Sequence, residues 1–258
     1  MRFGKRPITK LVLTVLCLAL LAWPVSIPTS AVSQDNIGCA LDARSASIGD
    51  LGQVLPGGTG YPQLDQGIQM DILEIQNRFG VSAKMFLMKE SGGPNAFALS
   101  TRHNARTEIL QQFGIPGAAS PDGVVVFGVD LMTSEFRSAF GSGYGIPAII
   151  GHEYAHIMQF KNAIPLRGKW IELHADYMAG WFTAHRGRFD RIQNSQESAI
   201  SFFNKGDYAF NSETHHGTPA ERVGAFMAGF QLNMQQNQPD ARAAYASGIS
   251  YLRDQGAR

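Results

Sequence analysis

The chain is expected to fold as an α+β protein, mostly helical, with a small β-sheet beside one helix that carries its chemistry. Two observations predict this. Apolar residues recur at helical spacing over residues 61–79, 170–186 and 219–230, and the stretch around His152–His156 is apolar and helix-prone, while only three short runs, 81–88, 95–99 and 124–129, have strand composition. With 258 residues, 44% hydrophobic and 17% charged, the chain can bury one sizeable core, or one core with a minor lobe.

The elements follow in order. Arg2, Lys5, Arg6 and Lys10 precede an apolar run at 11–23, then Pro24, Pro28 and small residues ending near Ala31. This is the pattern of a signal peptide over residues 1–31, and the run is shorter than the ~20 residues a membrane-spanning helix needs. Export to the periplasm or the exterior is expected, with no stable membrane span after cleavage. A retained anchor, or a lipid on Cys39 after Ile37-Gly38, are the alternatives. Losing four basic residues moves the formal charge from +1 to −3, and neither value suggests a nucleic acid partner. Cys17 would leave with the signal, so Cys39 has no intramolecular disulfide partner.

Residues 32–60, rich in Gly, Ser and Ala without a sustained period, read as an extended or loosely attached lead segment, and the catalytic domain is placed at 61–258. The first helix, 61–79, packs Leu64, Ile68, Ile72, Leu73, Ile75 and Phe79 inward, with Gly80 as its C-cap. Gly92-Gly93-Pro94 suggests that 81–88 and 95–99 form a hairpin. The continuously apolar run at 124–129 is either a central strand of the core or an edge strand. In the edge case, Val124 and Val126 would offer main-chain pairing to an extended peptide. Residues 197–204 read as helical. Thr218-Pro219-Ala220-Glu221 is a capping box that starts a helix at Pro219, and 240–254 form a last amphipathic helix.

The motif that carries chemistry is His152-Glu153-Tyr154-Ala155-His156. Two histidines four apart share one helix face, so both imidazoles reach a single metal ion, and Glu153 can address a water activated there. Sixteen residues after His156, Glu172 and Asp176 share a face of a second helix, reached through a connection holding Pro165 and Gly168. Two histidines and one carboxylate leave a fourth position for water, as in catalytic zinc sites. Asp176 would accept the free ring N–H of a ligating histidine, His152 first among them. His174 is the alternative third ligand, but two residues from Glu172 it points ~200° away on the helix. Gln159 and Asn162 stand where a three-histidine HExxHxxGxxH site needs Gly and His, which excludes that pattern.

At these residues the chain resembles the gluzincin peptidases, which carry HExxH followed by ExxxD. The strings around His152–Gln159 and Glu172–Trp181 are similar to those of the bacterial neutral zinc metallopeptidases. His216-Gly217-Thr218, leading to Arg222, resembles an HGTxxxR segment of that family. The resemblance covers about residues 145–232. Upstream, Pro94-Asn95-Ala96-Phe97-Ala98 and residues 122–128 resemble the segments before the zinc helix in the CAAX-prenyl-protease-like gluzincins. It implies a zincin-like fold, one zinc ion on His152, His156 and Glu172, and Glu153 as general base and then acid. It further implies His216 as a stabiliser of the developing oxyanion, helped by Arg222 or Tyr208, and Asn95 as a contact to substrate backbone. The residues alone leave Arg222 as a plain salt bridge, Asn95 as a turn former and His216 as a solvated loop residue.

The expected function is therefore an exported zinc metalloendopeptidase acting on a peptide or protein substrate. Two readings keep the same ligands. One is a zinc-binding envelope factor without proteolysis; the other is a zinc hydrolase of another amide, since the motif specifies water activation and not the acyl group attacked.

Overall fold

The computed structural model describes residues 53–55, 58–90, 95–100, 122–137, 145–186, 198, 199, 201, 216–235 and 240–258. The signal pattern, both cysteines, Tyr208 and most of 197–204 lie outside them, although Ser198, Ala199 and Ser201 are helical. The described elements are β1 (Gln53–Leu55), α1 (Pro62–Phe79), β2 (Ala83–Lys89), β3 (Ala96–Leu99), β4 (Gly123–Gly128), α2 (Val129–Phe136), α3 (Gly145–Asn162), α4 (Lys169–Arg186), α5 (Pro219–Gln235) and α6 (Ala241–Asp254). The protein is α+β and mostly helical, with one small sheet. No helix among the described residues is long and apolar enough to cross a membrane.

The four strands are ordered β1-β2-β4-β3. β4 runs parallel to β2, and β3 is antiparallel to β4. One sequence expectation fails here. Residues 81–88 and 95–99 form no hairpin, because β4 lies between them; parallel pairing of β2 and β4 requires a crossover, which β3 and the chain after it supply. Within the lead segment, residues 53–55 are extended and attached: β1 pairs antiparallel with β2, matching Val54 to Met88.

β4 is buried along its whole length, the burial its unbroken apolar run requires when both faces are covered. At its start, a Cβ on Gly123 would strike Ile157 of α3 and the Leu99 carbonyl, so sheet and helix meet there without a side chain between them. At its end the chain turns directly into α2, a helix the sequence did not announce. The Glu90 carboxylate caps it, accepting from the N–H groups of Asp130 and Leu131 at 2.9 Å each, which satisfies two donors that a helix start leaves orphaned.

α1 has Pro at its first turn and Gly80 at φ 61 as its C-cap, as expected. Ile68, Ile75 and Phe79 are buried, but Leu73 is 64% exposed and faces solvent. Phe79 packs on Trp181 and Phe182 of α4, with ring centroids at 5.9 and 6.1 Å. Each such buried aromatic contributes about 2–3 kcal/mol to folding.

α3 and α4 form the expected helical hairpin. α3 ends where Ala163 takes φ 50, with the Ile164 N–H on the Gln159 carbonyl at 3.1 Å, and Gly168 at φ 56 leads into α4. α5 begins at a true capping box: Thr218 N–H donates to Glu221 Oε2 at 2.9 Å, and Glu221 N–H donates to Thr218 Oγ1 at 3.2 Å. α4 and α5 then cross backbone to backbone. A Cβ on Gly180 would collide with the Phe226 carbonyl, and one on Gly229 with the Tyr177 carbonyl. Asp240 caps α6 by accepting from Ala243 N–H at 2.8 Å.

Candidate metal centre

α3 is buried on every side from Gly145 to Gln159. A helix of that kind belongs inside a core, so each polar side chain on it must find a partner or lose several kcal/mol of solvation. Four polar groups, His152, Glu153, His156 and Gln159, sit in this apolar wall at 0–1% exposure. The opposite side is anchored by Tyr154, whose hydroxyl donates to the Ala83 carbonyl of β2 at 2.9 Å; burial pushes its pKa up.

His152, His156 and Glu172 form a buried group whose candidate ligand atoms all lie within 4.8 Å of one another. His152 Nε2 is 3.0 Å from His156 Nε2, 3.4 Å from Glu172 Oε2, and His156 Nε2 is 3.6 Å from Glu172 Oε1. Ligands at ~2.0–2.1 Å around a tetrahedral ion stand about 3.3 Å apart, so the three separations already bracket that geometry.

The ring partners explain which atoms converge. His152 Nδ1 is 2.8 Å from Asp176 Oδ1, and that carboxylate is an acceptor, so Nδ1 carries the hydrogen. His156 Nδ1 is 2.8 Å from Gln159 Oε1, again an acceptor. Both Nε2 atoms are left as lone pairs facing each other at 3.0 Å beside a carboxylate. Two lone pairs and a carboxylate at such range require a positive charge among them, and a metal ion bound by two imidazoles and a carboxylate meets that need. The residues present fit a metal ion.

Asp176 is fully buried and takes a two-pronged contact from Arg222 of α5, Nε to Oδ2 at 2.8 Å and Nη2 to Oδ1 at 2.7 Å. Burial raises its carboxyl, yet the Arg222 charge and hydrogen bonds, joined by His152, bring the pKa below its ordinary value. The simple salt bridge read for Arg222 is therefore present, and its carboxylate partner is the one that orients His152. His174 is not a member of the cluster: one ring nitrogen faces Gln159 and the other the Tyr245 carbonyl.

The remaining candidates divide. Glu153 is fully buried one position along α3 from His152. His216 is half-buried just before α5; the adjacent Gly217, at φ 97, is so close to Leu173 that a Cβ there would crowd it, which brings this loop against the turn of α4 holding Glu172 and Asp176. Tyr208 lies outside the described residues. Val124 and Val126 are corrected: β4 is paired on both sides, so neither can offer its main chain to a peptide. The edge strand on this side of the sheet, among the described residues, is β3. Asn95 heads it, but its carbonyl accepts from Gly128 N–H at 2.8 Å and its N–H donates to Glu90 at 3.4 Å, so its backbone is engaged within the fold.

Sequence reasoning missed Gln159 as a functional residue and gave His174 only a ligand's role. The available signal was spacing, since Gln159 lies three residues past His156 and shares its helix face. A cavity of about 280 Å³ opens among α4, α5 and α6, lined in part by Trp170, Leu173, Glu221 and Tyr251; its lining includes none of the three metal-competent residues. No family model, curated protein or solved structure matches the chain.

Proposed function

We propose that the protein is an exported zinc metallopeptidase of the gluzincin type, with a zincin-like fold and endopeptidase action. The observation that carries the reading is the convergence of His152 Nε2, His156 Nε2 and Glu172 within 4.8 Å, on a buried HExxH helix whose ring hydrogens are directed away from the centre. His152, His156 and Glu172 would hold one zinc ion. Zinc there supplies a water of lowered pKa, toward ~7, and polarisation of the scissile carbonyl.

The chain's own residues do the rest. Glu153 accepts the proton of the attacking water and passes it to the leaving amine, a contribution of about 10²–10⁴ in rate. Its burial keeps competing water from that proton. His216, on the loop packed against α4, is the proposed donor to the developing oxyanion.

A second reading, a zinc-binding envelope factor without proteolysis, is favoured by one observation. Glu153 and His156 are 0% exposed, so the centre is covered. The test is incubation of the zinc-loaded mature protein with a mixed peptide library, read by mass spectrometry. New cleavage products that vanish with a chelator and return with zinc support the peptidase. An unchanged library at full zinc occupancy supports the envelope factor.

A further inference from the structure

Four residues beyond the metal-competent group are joined to it by an unbroken network of hydrogen bonds. His156 Nδ1 is 2.8 Å from Gln159 Oε1. Gln159 Nε2 donates to the Ile171 carbonyl at 2.9 Å and stands 3.1 Å from His174 Nδ1. His174 Nε2 is 3.1 Å from the Tyr245 carbonyl of α6. Gln159 and His174 are at 1% and 0% exposure, so water cannot substitute for any of these bonds.

The two ends of the chain decide every proton in it. A backbone carbonyl only accepts. The Ile171 carbonyl therefore fixes the NH₂ of Gln159 on its own side, which turns Oε1 toward His156. The Tyr245 carbonyl requires a hydrogen on His174 Nε2, which leaves His174 Nδ1 as an acceptor for the second N–H of Gln159. His156 must then carry its hydrogen on Nδ1, and its Nε2 lone pair points into the cluster. Reversing any member sets two acceptors or two donors face to face in a dry interior, a conflict costly enough to exclude the alternatives.

We infer that Gln159 and His174 are positioning residues for His156, forming a relay that fixes its tautomer and ring angle from the α6 backbone. His152 is oriented from α5 by Asp176 and Arg222, and His156 is oriented from α6 by this separate route. The inference rests on the proposed metal site and names what prepares it. His174 acts only through Gln159, so removing either breaks the same chain.

The test is zinc affinity, measured by competition with a chromophoric chelator, for the full mature chain and four variants. Gln159→Met should lower affinity about 10- to 100-fold. His174→Phe should lower it by a similar factor. His174→Asn, whose Oδ1 replaces the Nδ1 acceptor, should recover most of the loss. The double variant Gln159→Met/His174→Phe should be no weaker than Gln159→Met alone, because the two act in series. Additive losses, or a folded His174→Phe protein with wild-type affinity, would overturn the relay. Nitrogen-15 NMR of the imidazoles in the wild type decides the matter even if a variant fails to fold. His174 is expected with its hydrogen on Nε2 and His156 on Nδ1, and the opposite tautomer at either ring refutes the assignment. A wild type that binds no zinc would instead remove the site itself, and the relay's role with it.

Discussion

Arg222 grips Asp176 through two contacts, Nε to Oδ2 at 2.8 Å and Nη2 to Oδ1 at 2.7 Å, in a setting where both residues are at most 1% exposed. The pair ties α5 to α4 and presents Oδ1 to His152 Nδ1 at 2.8 Å. A buried ion pair adds little net stability, but removing one partner strands the other charge. Arg222→Met is therefore expected to lose about 3–5 kcal/mol of stability in urea titration, with zinc affinity down about 10- to 100-fold as His152 loses its fixed acceptor. Unchanged stability would show that the Asp176 carboxylate finds another partner.

The α4–α5 crossing makes a prediction by contrast within one helix. In the interior of α5, Gly→Ala normally gains up to ~1 kcal/mol of helix propensity. At Gly224 the new Cβ would meet only the Tyr251 hydroxyl at 3.7 Å, so Gly224→Ala should be neutral or stabilising. At Gly229 it would collide with the Tyr177 carbonyl, and backbone cannot step aside cheaply. Gly229→Ala should lose about 1–3 kcal/mol. Thermal denaturation of the two variants side by side checks the sign of each.

Much of this was legible because the relevant physics is local. The HExxH spacing, the Glu172–Asp176 pair, the Thr218–Glu221 capping box and the Gly80 C-cap all act within about one helical turn. The sheet was less legible. That β4 lies between β2 and β3 depends on a crossover that no local pattern encodes, so adjacent strands in sequence looked like a hairpin. An unbroken apolar run fits a central strand and an apolar edge equally well, which left Val124 and Val126 ambiguous until the pairing was known. Gln159 and His174 escaped because their meaning comes from the carbonyls of Ile171 and Tyr245, one of them on a helix 71 residues away in sequence.

His174 also predicts a pH dependence. Burial, with a smaller contribution from His156 and against the Tyr245 hydrogen bond, holds its pKa down to about 4 from an ordinary 6.5. Above pH 6.5 the ring is neutral in folded and unfolded chains alike, and its contribution is fully present. As pH falls from 6.5 to 4, the unfolded chain takes up a proton that the folded one refuses, so stability drops, by up to about 3 kcal/mol. Urea titrations of chelator-treated protein between pH 7.5 and 4.5 should show this decline, and His174→Asn should flatten it. Equal slopes in the two proteins would mean that the ring protonates in place.

Export predicts a defined mature N-terminus. The basic residues, apolar run and small-residue stretch of residues 1–31 should be cleaved near Ala31. N-terminal sequencing of protein from the periplasm or medium checks it. An intact Met1 on membrane-bound protein would indicate a retained anchor, and a lipid on Cys39 a lipoprotein.

The central claim is that Glu153 performs proton transfer at a zinc centre held by His152, His156 and Glu172. It is tested most directly by the rate of peptide hydrolysis for wild type and Glu153→Gln at equal zinc occupancy. The amide preserves size and leaves the three ligands in place, but it removes the proton acceptor. The account predicts that both proteins bind one zinc ion per chain and that the variant's hydrolysis rate is lower by at least about a hundredfold. Equal rates at equal occupancy, or no hydrolysis by either protein, would contradict it.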